Sequence, residues 1–378
     1  MSRVPIVGVV GARPNFMKMA PVARLLRRHP GFRFHLVHTG QHYAAMSDPF
    51  FRELALPDPE YHLGAGSGDA AEQIARIMTR LVPVLRKLRP RLVLVAGDVN
   101  STLAAALTAH KMGLPVGHIE AGLRSFDDSM PEEVNRRLTD AVSDYCFTPS
   151  ADADRNLRRE GVPPERIVRV GNLMIDTLRR FRKKAAGSNI LKTLGLRDRS
   201  YALVTLHRPS NVDSEEKLSD LVAVLRKLSG RLSVVFPIHP RTWKSGLRIG
   251  LWSRKDRVGH GSSAPRSRNG LVLTEPLGYF DFLKLQSRAR VVLTDSGGVQ
   301  EETTVLGVPC LTLRENTERP VTITHGTNRL AGTDPGRILD HVERILAGDV
   351  PPRRTPPLWD GRSAERLIRV LERKYLRR

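Results

Sequence analysis

Short apolar runs alternate with longer amphipathic segments along almost the whole chain. The run at 92–96, for example, follows a segment at 70–88 whose apolar residues recur with helical spacing. This pattern predicts parallel β-sheets covered by helices on both faces. Strands are predicted at 4–10, 34–38, 92–96, 115–119, 145–147, 202–206, 232–236, 271–273, 291–293 and 309–313. Ligands of such sheets bind beyond the carboxyl ends of the strands, so the polar residues that follow these runs are candidates for function.

The alternation is interrupted once, by a basic and polar stretch at 181–200, and then starts again. A chain of 378 residues is long enough for two domains that each bury a core. The sequence therefore predicts an α/β fold with two Rossmann-like, doubly wound domains facing a cleft. The expected divisions are an N-terminal domain at 1–185, a C-terminal domain at 186–358 and a final helix at 359–378.

The composition is typical of a soluble globular protein, with 40% hydrophobic and 26% charged residues. No apolar run approaches the roughly 20 residues that span a bilayer. The run at 4–12 leads into Arg13-Pro14 and contains glycines, so it is interpreted as a strand and not as a signal peptide. A cytoplasmic location is expected. The only cysteines, Cys146 and Cys310, lie in apolar runs and are expected to be buried thiols.

A formal net charge of +22 raises the possibility of nucleic-acid binding. Aromatic residues make up only 5% of the chain, and no recognition helix, zinc-ligand spacing or RNA-binding signature accompanies the charge. Much of the excess lies at 241–269 and 353–378. We interpret it mainly as solvated surface, with a polyanionic substrate or a membrane surface as weaker interpretations.

The strand at 291–293 leads into Asp295-Ser-Gly-Gly298 and then a helix. Adjacent glycines allow a ligand close to the backbone, and the first N–H groups of a helix favour an anion. This indicates a binding site for a diphosphate. Glu301 or Glu302, one helical turn further on, could accept hydrogen bonds from the hydroxyls of a ribose. The alternative is an ordinary turn in which Asp295 or Ser296 caps the helix.

Carboxylates also follow strands in the N-terminal half. Asp98 and Glu120 end two predicted strands, although Asp98 could instead cap the next helix. Glu132 and Glu133 lie in a first helical turn after Pro131, where carboxylates are also favoured for structural reasons. Together these residues predict a face of several carboxylates at one sheet edge.

Cationic groups occupy similar positions. Arg13 lies on the loop before a helix expected to begin near Phe16, and Lys18 lies in that helix. His207 and His239 follow strands of the second half, where each could contact a diphosphate or be a satisfied loop residue.

These residues belong to motifs that, in this order, resemble the UDP-N-acetylglucosamine 2-epimerases of the non-hydrolysing bacterial type over nearly the whole chain. The motifs are Gly11-Ala-Arg-Pro14, Lys18-Met-Ala-Pro21, Thr39-Gly-Gln-His42, Gly97-Asp98, Gly117-His-Ile-Glu-Ala-Gly-Leu-Arg124, Pro131-Glu-Glu-Val-Asn-Arg136, His207-Arg208, Thr294-Asp-Ser-Gly-Gly-Val-Gln-Glu-Glu302 and Thr317-Glu-Arg-Pro320. The resemblance implies a glycosyltransferase-B-like fold whose last helix packs back on the N-terminal domain. It also implies a homodimer and a role in surface polysaccharide precursor synthesis.

The reaction implied by the resemblance is reversible inversion at C2 of UDP-N-acetylglucosamine. No carbonyl acidifies the C2 proton, so UDP must leave C1 while a base removes that proton, which gives a glycal. An acid then returns a proton to the other face as UDP adds back. This chemistry is redox-neutral and needs no cofactor. No metal site is predicted either, since no His, Cys or Asp cluster has ligand spacing.

The resemblance also implies roles for individual residues. The catalytic set is Asp98, Glu120, Glu132, Lys18 and His207. The substrate-binding set is Arg13, Arg136, Phe282, Ser296, Gly297, Gly298, Glu302 and Arg319. Gln41, His42 and His239 resemble part of a second, activating substrate site.

Some positions depart from the family pattern. Asn15 stands where many relatives have glutamate, and Pro209-Ser-Asn211 replaces a more basic segment. These changes leave open a modified UDP-sugar substrate and put the activation in doubt. The sequence also leaves open a hydrolysing epimerase that releases UDP and a glycosyltransferase of the same fold.

Overall fold

The computed structural model describes residues 3–41, 51, 53–259 and 270–376. The chain divides into one unit of Met1–Arg180 with Pro357–Arg378 and a second unit of Phe181–Pro356. Each unit contains one sheet with helices on both faces, which confirms the predicted α/β class with two doubly wound sheets.

The sheet of the first unit has the order β3-β2-β1-β4-β5-β6-β7, with every pair parallel. The strands are β1 (Val4–Val10), β2 (Phe32–His38), β3 (Tyr61–His62), β4 (Leu92–Ala96), β5 (Val116–Ile119), β6 (Tyr145–Thr148) and β7 (Ile167–Arg169). The helices include Arg13–Arg28, Ala70–Leu88, Asn100–Lys111, Pro131–Ala141, Ala151–Arg159 and Ser363–Tyr375, and Leu173–Ala186 runs from the first unit into the second.

The sheet of the second unit has the order β10-β11-β9-β8-β12-β13-β14 and is also parallel throughout. Its strands are β8 (Tyr201–Thr205), β9 (Ser233–Pro237), β10 (Arg257–Val258), β11 (Leu271–Thr274), β12 (Val291–Thr294), β13 (Cys310–Thr312) and β14 (Asn328–Leu330). The helices include Ile190–Thr193, Pro209–Val212, Glu215–Ser229, Pro240–Arg248, Tyr279–Arg288, Gly297–Leu306, Val321–Thr324 and Pro335–Leu346.

The predicted strands are all present, and their ends shift by no more than two residues. The central strands β4 and β12 are buried along their whole length, which explains why their sequences are continuously apolar. The first helix begins at Arg13 and not near Phe16, so the expected start was wrong. The Asn15 side chain stabilises this earlier start, because its Oδ1 accepts hydrogen bonds from the N–H groups of Gly11 and Ala12 at 3.1 Å each.

Each sheet has one point where the strand order reverses. In the first unit it lies between β1 and β4, and in the second between β8 and β12. Crevices outside the carboxyl ends of the strands at such points are the usual ligand sites of open α/β sheets. The residues after β1, β4, β8 and β12 are therefore the candidates for ligand contacts in each unit.

The C-terminal segment packs on the first unit. Trp359 is 1% exposed, and its Nε1–H donates to the Pro149 carbonyl oxygen at 3.0 Å. The Asp176 carboxylate accepts hydrogen bonds from the N–H groups of Ser363 (3.1 Å) and Ala364 (2.7 Å). These two hydrogen bonds make Asp176 the cap of the final helix. The residue at the N-cap position, Arg362, makes no side-chain cap hydrogen bond to any residue that the structure describes.

Cys146 and Cys310 are both buried and free, as predicted. Burial raises the pKa of both thiols, to about 12 for Cys310. Both therefore behave as small apolar side chains at neutral pH.

Candidate functional site

Lys18 and Glu120 form a buried ion pair at the carboxyl edge of the first sheet. Lys18 comes from the helix after β1 and is 5% exposed, and Glu120 directly follows β5 and is 8% exposed. Glu120 has a backbone φ of 73°, a left-handed conformation that is strained for a residue with a side chain. A Cβ on Gly97, the residue after β4, would lie 2.9 Å from Lys18 Nζ. Glycine at 97 thus leaves room for the pair. Backbone strain such as that at Glu120 is typical of functional positions.

Asp98 binds Arg136 beside this pair. Its Oδ2 lies 3.0 Å from Arg136 Nε, and Arg136 is 2% exposed. Val99, and not Asp98, occupies the N-cap position of the next helix, so Asp98 is not its N-cap residue. The carboxylate of Asp98 instead points to the guanidinium of Arg136.

Glu132 and Glu133 occupy different surroundings although they are adjacent. Glu133 is 1% exposed and accepts hydrogen bonds from the N–H groups of Ser125 (2.9 Å) and Phe126 (3.1 Å). It also binds the guanidinium of Arg136. Glu133 is therefore engaged in holding the loop before the helix, whereas Glu132 is half-buried. The structure thus separates a fully buried, structurally paired carboxylate from one that keeps part of its surface accessible.

Arg13 and Gln41 lie at the same sheet edge. Arg13 is exposed in the first turn of its helix. Gln41 Oε1 accepts hydrogen bonds from the backbone N–H (3.1 Å) and the hydroxyl (2.6 Å) of Ser101, so it caps the helix after β4. His42, the other residue of this motif, lies outside the described residues.

The Ser-Gly-Gly turn of the second unit leads directly into the helix Gly297–Leu306. Ser296 occupies the N-cap position, but among the described residues its side chain makes no cap hydrogen bond. The Asp295 carboxylate points away, to backbone N–H groups after β8. The interpretation as an ordinary side-chain cap is therefore wrong, and the N–H groups of the first turn remain suited to an anion.

Asp295 orients His207. Asp295 is fully buried, and its Oδ1 lies 3.0 Å from His207 Nδ1. Its Oδ2 accepts the backbone N–H groups of His207 (3.0 Å) and Arg208 (2.9 Å). Burial alone would raise the pKa of Asp295, but His207 and these N–H groups hold it below the usual value. A carboxylate on Nδ1 fixes the ring, so that Nε2 is the nitrogen available to a ligand.

Glu318 holds arginines around the same turn. It is fully buried, and its carboxylate accepts hydrogen bonds from Arg314 (2.9 Å) and Arg319 (3.0 Å), with Arg208 at 3.6 Å. Arg319 lies against the start of the helix, since a Cβ on Gly297 would be 2.4 Å from its guanidinium carbon. The sequence predicted Arg319 as a site residue and included Arg208 and Glu318 only as members of motifs, and it missed Arg314. The signal for Arg314 and Glu318 was the density of charge between 314 and 319, in a segment that otherwise looks like a loop.

Glu301 and Glu302 also differ. Glu301 Oε1 accepts a hydrogen bond from Arg319 Nε at 3.0 Å, so it belongs to the arginine cluster. Glu302 is 3% exposed, and its Oε1 accepts the hydroxyl of Tyr279 at 3.1 Å. Phe282 lies half-buried on the helix that begins at Tyr279. This favours Glu302 over Glu301 as the carboxylate for sugar hydroxyls.

His239 is near His207, with ring centroids 5.7 Å apart. Its Nδ1 accepts the backbone N–H of Arg241 at 3.2 Å, which makes it the cap of its helix. Among the described residues, no three His, Cys, Asp or Glu side chains lie together as metal ligands. The first unit thus has paired carboxylates at its sheet edge, and the second has a glycine turn with arginines around it.

A family model described as UDP-N-acetylglucosamine 2-epimerase matches residues 24–372. A UDP-N-acetylglucosamine 2-epimerase of Methanococcus maripaludis is 41% identical over 96% of this chain and 97% of its own. A UDP-2,3-diacetamido-2,3-dideoxy-D-glucuronate 2-epimerase of Pseudomonas aeruginosa is 38% identical over 90% of this chain and 92% of its own.

A similar fold is found in the crystal structure of the Methanocaldococcus jannaschii UDP-GlcNAc 2-epimerase in complex with UDP-GlcNAc and UDP. The TM-score is 0.89 at 39% identity, covering 98% of this chain and 100% of that one. No helix among the described residues is long and apolar enough to cross a membrane.

Proposed function

The chain belongs to the UDP-N-acetylglucosamine 2-epimerase family, and on that premise we propose that it is an isomerase that reversibly converts UDP-N-acetylglucosamine to UDP-N-acetylmannosamine. Inversion at C2 needs a base, an acid and a stabilised leaving group. The first unit supplies candidates for the acid and base, and the second supplies candidates for holding UDP. We place the reaction in the supply of surface polysaccharide precursors, in the cytoplasm, and expect a homodimer.

The first half of the reaction is an elimination. A base removes the C2 proton, the electron pair of that C–H bond forms the C1=C2 double bond, and the C1–O bond to UDP breaks. Asp98, Glu120 and Glu132 are the candidates for this proton transfer, and Lys18 forms an ion pair with Glu120. In the second half UDP adds back to C1 and a proton returns to the opposite face of C2.

Negative charge develops on the diphosphate as it leaves, and groups of the second unit are the candidates for stabilising it. Ser296, Gly297 and Gly298 present the start of a helix, Arg319 adds positive charge, and His207 is a further candidate contact. Arg13 and Arg136 of the first unit are the candidates for stabilising the diphosphate or the intermediate. Glu302 is the candidate for the ribose hydroxyls, and Phe282 for the uracil ring.

The observation that carries this proposal is the buried Lys18–Glu120 pair on a strained backbone, beside the Asp98–Arg136 pair. A carboxylate at the ligand edge of a sheet can take a proton from a bound substrate or return one to it. A glycosyltransferase of this fold would not need several carboxylates there.

The test is proton NMR of the purified protein with UDP-N-acetylglucosamine in deuterated water. We expect the anomeric signal of UDP-N-acetylmannosamine, with deuterium at C2 of both epimers. Accumulation of free UDP and free N-acetylmannosamine would instead identify a hydrolysing enzyme. No change in the spectrum would contradict the proposed substrate.

A second candidate substrate is a further amidated or oxidised UDP-sugar. It is favoured by the 38% identity to the Pseudomonas aeruginosa enzyme and by the departure at Pro209-Ser-Asn211. The same experiment with UDP-2,3-diacetamido-2,3-dideoxyglucuronate distinguishes the two, because deuterium enters C2 only in a sugar that the enzyme turns over.

The proposal includes activation through a second substrate site. Gln41 caps a helix through Ser101 and His239 caps another through Arg241, so both have structural partners. A sigmoidal dependence of rate on UDP-N-acetylglucosamine that Gln41→Ala makes hyperbolic would support activation.

A further inference from the structure

His118 lies in the middle of β5, fully buried, with a hydrogen-bond partner on each ring nitrogen. Nε2 is 2.8 Å from the carbonyl oxygen of Gly97, the residue after β4. Nδ1 is 2.6 Å from Oδ1 of Asp140, on the helix Pro131–Ala141. His118 therefore connects a strand end to a helix across the sheet edge.

The partners of His118 determine where its protons are. A carbonyl oxygen can only accept, so the Gly97 contact requires a proton on Nε2. The Asp140 contact has two forms, either a carboxylate that accepts from Nδ1–H or a carboxylic acid that donates to Nδ1. The state of Asp140 decides between them.

Asp140 is held as a carboxylate by its other contacts. Its Oδ2 lies 2.7 Å from the guanidinium of Arg124 and accepts the N–H of Gly122 at 3.1 Å. Burial would raise the pKa of Asp140, but the contacts with His118 and Arg124 lower it overall. Arg124 is paired in turn with Glu160 at 2.6 Å. An ionised Asp140 accepts from Nδ1–H, so both ring nitrogens of His118 carry a proton.

We propose that His118 is a buried imidazolium that positions the acid–base residues by tying the Gly97 carbonyl to Asp140. This rests on the proposed function only in treating those residues as acid and base. The elements that His118 connects carry the three candidate carboxylates: Asp98 follows Gly97, Glu120 lies two residues after His118, and Glu132 lies on the helix of Asp140.

The hydrogen bond from His118 to Gly97 matters because Gly97 lies beside the Lys18–Glu120 pair. A Cβ there would lie 2.9 Å from Lys18 Nζ and 3.6 Å from Glu120 Oε2, so the Gly97 backbone forms one wall of the Lys18–Glu120 pair. Rotation of the Gly97 peptide would displace this wall and the Asp98 carboxylate together. Displacements of about 1 Å in such groups can cost roughly 100-fold in rate.

The first test is NMR of the ring nitrogens in the full-length protein with 15N-labelled histidine. We expect both nitrogens of His118 to have the chemical shift of protonated imidazolium nitrogens at neutral pH. The His118→Gln spectrum assigns the signals among the 12 histidines. An unprotonated nitrogen at position 118 in the wild-type protein would overturn the proposal, whether or not the protein has epimerase activity.

The second test separates the two contacts. The amide nitrogen of His118→Asn mimics Nδ1 and can reach Asp140 only, whereas that of His118→Gln mimics Nε2 and can reach the Gly97 carbonyl. We expect His118→Asn to lower kcat roughly 100-fold with UDP affinity unchanged, and His118→Gln to retain more activity. The exposed His110→Asn is the matched control and should keep wild-type kinetics.

A wild-type kcat in His118→Asn would overturn the positioning role. The same would follow if kcat and UDP affinity fell by the same factor in both variants. If neither variant folds, the ring-nitrogen spectrum of the wild-type protein still decides the protonation state. An inactive wild-type protein whose His118 is doubly protonated would overturn the proposed function and keep the imidazolium.

Discussion

Glu120 is the residue in which burial, backbone strain and charge pairing coincide. We expect Glu120→Gln to reduce epimerisation by about 10²- to 10⁴-fold, because the amide keeps the shape of the carboxylate but cannot take a proton. UDP affinity, measured by calorimetry, should be unchanged, since the groups proposed to hold UDP lie mainly in the other unit. Deuterium incorporation at C2 measures the loss. Glu72→Gln on an exposed helical face is the control, and a parallel loss of UDP binding would contradict the assignment.

The neighbours Glu132 and Glu133 provide a contrast within one helical turn. Glu133→Gln should lower the free energy of unfolding by about 2 kcal/mol, because a buried carboxylate holds Arg136 and two backbone N–H groups. Glu132→Gln should lower kcat and leave the unfolding transition unchanged. Urea unfolding and initial rates of the two variants test this pair. The reverse pattern would show that Glu133 is the residue in the chemistry.

The final helix, Ser363–Tyr375, depends on a cap from a distant part of its own unit. Asp176→Ala should lower the free energy of unfolding by about 1 to 2 kcal/mol, since it leaves the N–H groups of Ser363 and Ala364 without an acceptor. Chemical denaturation measures the change. Glu365→Gln on the same helix is the control, because its pair with Arg362 is solvent-exposed and contributes little. Equal stability of both variants would mean that water replaces the cap.

The stability of the folded protein should depend on pH through Asp295, in the turn after β12. The pKa of Asp295 is lowered in the folded protein, so its stabilisation is complete above the unfolded value of about 3.9 and is lost as pH falls through the folded value. Asp295→Asn should therefore destabilise the protein at neutral pH. The difference from wild type should shrink as pH falls below about 4. Unfolding of both proteins over this range checks the sign, and a difference independent of pH would contradict it.

At the scale of the whole molecule, the formal charge of +22 predicts association with nucleic acid at low ionic strength. We expect this binding to show no sequence preference and to fall by orders of magnitude by about 0.2 M salt. Titrations of two unrelated DNA duplexes at increasing salt measure it. Binding of one duplex that survives at high salt would indicate a nucleic-acid function.

The division at 185/186 and 358/359 stays a prediction about which parts of the chain fold as domains. Limited proteolysis would test it, because a domain boundary in an exposed linker is cut before the flanking cores.

Strand and helix positions could be predicted because they depend on local patterns. The predicted strands match the structure at both sheet centres, where burial on both faces demands a continuous apolar run. The strands β3, β7, β10 and β14 were missed, and each lies at an edge of its sheet with two or three residues. Such strands form by pairing with a neighbour and leave little trace in composition.

The sequence by itself determined the parallel α/β class, the polar residues at the strand ends and the glycine turn, because all three depend on periodicity and on residues adjacent in the chain. Only the tertiary structure decided which charges pair. Glu133, unlike Glu132, accepts the N–H of Ser125, and Asp295 pairs with His207. Arg208 and Arg314 lie around Glu318. His118 contacts both the Gly97 carbonyl and Asp140. These partners are selected by distance and burial after the chain has folded, and residues as far apart as Arg208 and Glu318 carry no mark of their contact in the sequence.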